Sequence, residues 1–134
     1  MKPQGQALAL LPYSSVDDTP FTASRADITR ILGEPLRQGR NDVGLNELDY
    51  GDVVYRFQDG GRLEEITRQA RVILLGTVAV PFDTLAAFIR AHDDGAFERA
   101  GFLVSPAFGL AFDPRDPHWV TAIARHCVDT WRAL

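Results

Sequence analysis

The chain has 134 residues, 46% of them apolar and 24% charged, with a net charge of −4. That length and composition fit one globular domain spanning 1–134 with a real core. The acidic balance argues against a nucleic-acid partner, which needs a basic face, and no run approaches the ~20 apolar residues of a membrane span.

The first 20 residues contain three prolines and the run Ser-Ser-Val-Asp-Asp, and read as an extended leader with turns. Their apolar run is shorter than the roughly 7–15 residues of a secretory signal. A first helix follows, with Thr22 or Ser24 as N-cap and Asp27 in the first turn. Ile28, Ile31 and Leu32 form its apolar stripe, and Gly33 with Pro35 stops it. The stretch after it, rich in Gly, Asn and Asp, reads as loop or short edge strand.

The segment ELDYGDVVYRF alternates, with Val53, Tyr55 and Phe57 on one face, as in a half-buried strand. QDGG is a hairpin turn, RLEEITRQ a polar return strand, and RVILLGTVAV a central strand that Gly76 can break. The second helix, within PFDTLAAFIRAHDDG, has Asp83 or Thr84 as cap and Phe82, Leu85, Phe88 and Ile89 as its buried stripe. GFLVSPAFGLAF gives one or two strands interrupted at Ser105-Pro106. HWVTAIA is a further strand, and the last helix closes the chain. The fold class is therefore α+β: an antiparallel sheet of about five to seven strands with three helices packed mainly on one face. The order helix–strand–turn–strand occurs twice, about 55–61 residues apart, so two tandem helix–strand–strand units are an open alternative.

The residues with chemistry are few. Asp113, Asp116 and His118 lie in AFDPRDPHWVTAI, where Pro114 and Pro117 forbid regular ladder pairing. The stretch reads as a turn. His92 reads as a C-terminal helix residue favoured by the dipole. His126 and Cys127 are adjacent on the last helix, point about 100° apart, and cannot share a partner without help from elsewhere. Ser105 lacks the nucleophile elbow. No phosphate loop, zinc spacing or calcium loop is present, so no catalytic residue, metal or cofactor is expected. Cys127 is the only cysteine. No internal disulfide can form, which points to a reducing, cytoplasmic compartment.

Charge is concentrated instead. Between Asp42 and Glu65 lie seven acidic residues and two arginines, a local charge of −5 in a chain of −4. Such a stretch can dock a basic protein partner through Asp42, Glu47, Asp49, Asp52 and Asp59, with Tyr50 as an aromatic anchor.

The pattern ITRILGEP…DYGDVVYRFQDGGRLEEI, from Ile28 to Thr67, resembles the helix–hairpin unit of bacterial inhibitor proteins of the β-lactamase-inhibitor type. There a helix ending in Leu-Gly-x-Pro precedes strands of the form Tyr-x-Phe-x-x-Gly-x-Leu. A small acidic chain of this kind also resembles immunity proteins. The resemblance implies a non-enzymatic binding protein that neutralises a partner toxin by occlusion. Two other readings compete with it. One is a small ligand-binding or enzyme domain with a pocket near Trp119, His118 and Trp131, and the other an accessory subunit whose apolar strand pairs with another chain.

Overall fold

The computed structural model describes residues 7–134; the first six residues of the expected leader lie outside them. The rest of that leader is not an extension but three strands: β1 (Ala7–Leu11), β2 (Ser15–Val16) and β3 (Thr19–Pro20). The alternation in ALALL explains β1, since Leu8 and Leu10 point inward and are fully buried while Leu11 is exposed.

Helix α1 (Arg25–Leu32) starts as expected. The Ser24 hydroxyl accepts the Asp27 N–H and the Asp27 carboxylate accepts the Ser24 N–H, a reciprocal capping box. Its apolar stripe is narrower than the spacing suggests: Ile28 is buried, but Ile31 is 75% exposed and Leu32 46%. Eight residues give barely two turns, and only one position meets the core.

Four strands then form a meander: β4 (Arg37–Arg40), β5 (Asn46–Asp49), β6 (Val53–Phe57) and β7 (Leu63–Gln69). The segment read as one strand is split into β5 and β6 by a turn at Gly51, whose φ of +96° favours glycine. Strands β8 (Val72–Leu75) and β9 (Val78–Pro81) are likewise a hairpin, broken at Gly76 (φ +66°).

Helix α2 (Phe82–His92) has Pro81 at its N-cap and no side-chain cap; neither Asp83 nor Thr84 serves, and the Thr84 hydroxyl donates to the Pro81 carbonyl instead. Phe82, Leu85 and Ile89 are buried, while Phe88 is half-buried between the rings of His92 and Phe108. A second four-strand meander follows: β10 (Phe97–Arg99), β11 (Phe102–Ser105), β12 (Leu110–Phe112) and β13 (Trp119–Ile123). Helix α3 (Cys127–Arg132) closes the chain.

The protein is thus α+β, with thirteen strands among the described residues in two sheets rather than one sheet of five to seven. The larger runs β10-β11-β12-β13-β7-β6-β5-β4, entirely antiparallel. It is two meanders joined where β13 meets β7, with Thr121 opposite Thr67. The order helix then four strands therefore occurs twice. The smaller sheet, β3-β2-β1-β8-β9, contains one parallel pair, β1 with β8. The count was misread because strands of two to four residues carry too little alternation to register.

One face of the large sheet packs against the small sheet, α1 and α2 in a common core containing Phe57, Ile66, Phe112, Leu8, Ile73 and Leu85. On the other face, Val104, Ala111 and Ile123 pack under Cys127 and Val128 of α3. The helices therefore divide between the two faces instead of sharing one.

Candidate binding cleft

Residues alternate across a strand, so the outer face of the large sheet can be read from its register. Across β5, β6 and β7 the opposed residues Glu47, Arg56 and Glu65 form a row. The Arg56 Nε donates to Glu47 at 2.7 Å, and its Nη1 reaches Glu65 at 3.5 Å and also donates to the Thr67 hydroxyl. Thr67 in turn bonds Thr121 at 2.7 Å across the junction of the two meanders. Opposite charges facing one another across neighbouring strands stabilise the pairing.

Helix α3 covers the β11–β13 half of this face and reaches the row of charges only at Glu65, through Trp131. Between them lies an open cleft of about 700 Å³. Trp119, Trp131 and Phe102 form its aromatic wall, with the Phe102 and Trp131 rings 5.4 Å apart. The loop at residues 41–45 and the turn at 113–116 form its rim. The Trp131 Nε1 donates to Glu65 at 3.2 Å, fixing the indole against the sheet. Six carboxylates line the cleft (Asp42, Glu47, Glu64, Glu65, Asp113 and Asp116), against one arginine, Arg56.

The electrostatics differ from group to group. Burial raises the Glu65 carboxyl above its ordinary range, against the pull of Arg56 and the Trp131 N–H. Hydrogen bonds from the Arg115 side chain and backbone lower Asp113. Burial and the neighbouring Glu64 and Glu65 carboxylates push the Cys127 thiol up to about 12, so it is un-ionised at neutral pH. Among the described residues, neither Asp42 nor Asp116 has a side-chain hydrogen-bond or ion-pair partner.

The expected partner-binding residues are distributed unevenly. Asp42 and Glu47 line the cleft. Asp49 is held low by the Gly51 N–H and by Arg37, to which it is paired at 2.7 Å. Asp59 is paired with Arg40 and also accepts from Asn46. Asp52 sits in the turn after β5, where its carbonyl accepts the Gln69 N–H. Tyr50 anchors the fold itself: its hydroxyl donates to the Gly33 carbonyl at 2.8 Å and its ring meets Tyr55 edge-on. Arg37 and Arg40 lie just outside the window from Asp42 to Glu65, so the local charge of −5 overstates the free acidity.

Within the stretch from Ala111 to Ile123, residues 113–118 form the turn between β12 and β13, with the Asp113 carboxylate accepting the Arg115 N–H. His118 does not join Asp113 and Asp116; its ring packs on Phe82, 5.7 Å away on the opposite face. The expected Trp119/His118/Trp131 pocket thus keeps both tryptophans and loses the histidine. Ser105 is fully buried and donates to Asp93 at 2.7 Å, a bond that pins the turn at 105–108. Burial raises the Asp93 carboxyl, but its bonds from Ser105, Ala107 and Gly95 outweigh that and hold it low.

Sequence reading missed the row Glu47–Arg56–Glu65 and the convergence of Glu64 with His126 and Cys127. The first leaves a trace, since Arg56 and Glu65 occupy alternating positions on either side of the QDGG turn. The second leaves none, because 62 residues separate Glu64 from His126. No family model, curated protein or solved structure matches the chain. No helix among the described residues is long and apolar enough to cross a membrane.

Proposed function

We propose that the protein is a non-enzymatic binding protein of the inhibitor or immunity type, acting in the cytoplasm, whose cleft receives a cationic segment of a basic protein partner. The observation that carries this reading is the composition of the cleft: an aromatic wall from Trp119, Trp131 and Phe102, and six lining carboxylates, of which Asp42 and Asp116 have no arginine partner among the described residues. Aromatic faces and carboxylates together recognise an arginine or lysine side chain, the first by cation–π attraction and the second by charge. Asp42 and Asp116 stand on the rim where they can steer encounter. The binding surface is narrower than the whole stretch from Asp42 to Glu65, because Asp49 and Asp59 are engaged by Arg37 and Arg40.

The test begins with capture of the partner from the native organism, followed by surface plasmon resonance at low and high salt. Reversing Asp42 and Asp116 to Lys is expected to slow association at low salt by about tenfold or more and to flatten its salt dependence. Reversing Asp83, an exposed residue on α2, is the control and is expected to change little. Unchanged association in the double reversal rejects the cleft as the docking site. A second reading, a small-ligand pocket, is favoured by the cleft's volume of about 700 Å³, which lies in the usual range for such sites. It requires an apolar or cationic small molecule to quench the Trp119 and Trp131 fluorescence without any protein partner.

A further inference from the structure

Three side chains at the edge of the cleft come together where β7 meets the start of α3. Glu64, His126 and Cys127 each offer a ligand atom, and these atoms lie within 4.8 Å of one another. Glu64 and Cys127 are buried and His126 is exposed. The His126 Nε2 contacts the Glu64 Oε2, and the Cys127 thiol points at the Glu64 carbonyl 3.6 Å away. Adjacent residues on a helix cannot share a partner by themselves; here His126 occupies the cap position, and the Glu64 strand supplies the third group.

We propose that Glu64, His126 and Cys127 form a three-ligand site for a divalent transition metal ion of the zinc class, at the edge of the cleft that Glu64 and Cys127 also line. The donor set selects the metal. Thiolate and imidazole suit zinc and its neighbours and disfavour magnesium and calcium, which take oxygen ligands. Three protein ligands leave a fourth tetrahedral position for water or a group from a bound partner. Bonds of about 2.0–2.3 Å place ligand atoms roughly 3.5 Å apart around such an ion. Reaching that geometry needs the His126 ring to back away from Glu64 and the thiol to approach, movements that an exposed histidine at a helix start permits.

The competing use of Glu64 is visible. Its Oε1 accepts from Gln58 at 2.9 Å, and its Oε2 accepts from Arg62 at 3.2 Å. Gln58 fits the metal-bound state, since a hydrogen bond to the other oxygen orients a ligating carboxylate. Arg62 does not, because its positive charge opposes an incoming cation. Its side chain is 54% exposed and can swing into solvent. Metal binding forms one bond each to sulfur, nitrogen and oxygen and releases the thiol proton to the buffer, with no change of oxidation state.

The experiment uses the full chain, freed of metal by chelator dialysis, with Co²⁺ alone as the probe. The expected result is one equivalent bound, with a thiolate-to-cobalt charge-transfer absorption. His126→Ala, a change at an exposed position, is expected to weaken binding by about 10- to 100-fold or more while leaving metal-free thermal stability near wild type. Cys127→Ser is expected to abolish the charge-transfer band. Arg62→Ala is expected to tighten binding, an outcome that a purely structural ion pair does not produce. Wild-type protein without the charge-transfer band overturns the site, even if Cys127→Ser fails to fold. So does cobalt affinity unchanged in His126→Ala.

Discussion

The two halves of the large sheet share a topology and differ in what covers them. Each is a helix followed by a four-strand antiparallel meander, and the two meet at β7 and β13. The inner faces are equivalent: Phe57 on β6 and Phe112 on β12 are both fully buried in the common core. The outer faces diverge. In the second half, Val104, Ala111 and Ile123 are apolar and sealed beneath α3. In the first half, Glu47, Arg56 and Glu65 are charged, and α3 reaches only the last of them, through the Trp131 indole on Glu65. The single extra helix at the end of the chain covers one half and leaves the other as the wall of a cleft. The cleft arises because α3 covers one of two halves that share an order of elements and leaves Glu47 and Arg56 open on the other.

The largest effects test the equivalence of the inner faces. Phe57→Ala and Phe112→Ala are each expected to cost about 3–5 kcal/mol by cavity formation, read by equilibrium unfolding in urea. A loss below about 1 kcal/mol for one of them would break the symmetry of the core. The outer faces should then separate. Ile123→Ala, under α3, is expected to cost about 2–5 kcal/mol, whereas Val54→Ala, half-buried on the cleft side, should cost less than about 1 kcal/mol. Equal losses would mean that the first half is as well covered as the second.

Removing the charge row is expected to have an intermediate effect. Arg56→Met leaves Glu47 and Glu65 without their shared partner, and the Glu65 side chain is only 14% exposed. A loss of about 1–3 kcal/mol at neutral pH is expected. That loss should shrink on acidification. Burial already raises the Glu65 carboxyl in the folded state, so folding favours its protonated form. The folded protein therefore gains stability from this group as pH falls toward the ordinary carboxylate range, and loses it as pH rises through the raised value. Urea unfolding of Arg56→Met across mildly acidic pH reads the sign; a loss that grows on acidification contradicts it.

Much of the fold was legible and much of the site was not, for reasons visible in particular residues. Ser24 and Asp27 announced the start of α1 through capping chemistry that is local in sequence. The alternation of Val53, Tyr55 and Phe57 announced β6, and QDGG its hairpin. The strand β1 was missed although Leu8 and Leu10 alternate, because its partner β8 lies more than 60 residues away and the prolines nearby suggested a leader. The break at Gly76 was legible, while the one at Gly51 was not, since one positive-φ glycine turns an apparent long strand into a hairpin. Asp49 and Asp59 looked like free acids until the sheet brought Arg37 and Arg40 beside them. The meeting of Glu64 with His126 and Cys127 depends wholly on tertiary structure.

The smallest expected effect is chemical and leaves the fold untouched. The Cys127 thiol, on the sheet-facing side of α3, has its pKa pushed up to about 12 from an ordinary 9.0. Its thiolate fraction near pH 8 is then about a thousandfold below that of a free cysteine, and metal-free protein should alkylate with iodoacetamide correspondingly slowly. Because the folded value lies above the unfolded one, stability from this group is complete below pH 9 and declines as pH rises toward 12. Alkylation at the rate of a free thiol would show that α3 does not seal the second half.

If the cleft is the docking site, the open outer face, and not the sealed one, meets the partner. Hydrogen–deuterium exchange of the chain, alone and with the captured partner, measures this most directly. New protection is expected at residues 41–47, 54–56 and 113–119 and in α3 beside Trp131, with no change in the small sheet. Protection confined to the small sheet, or to α1 with its exposed Ile31 and Leu32, would contradict it.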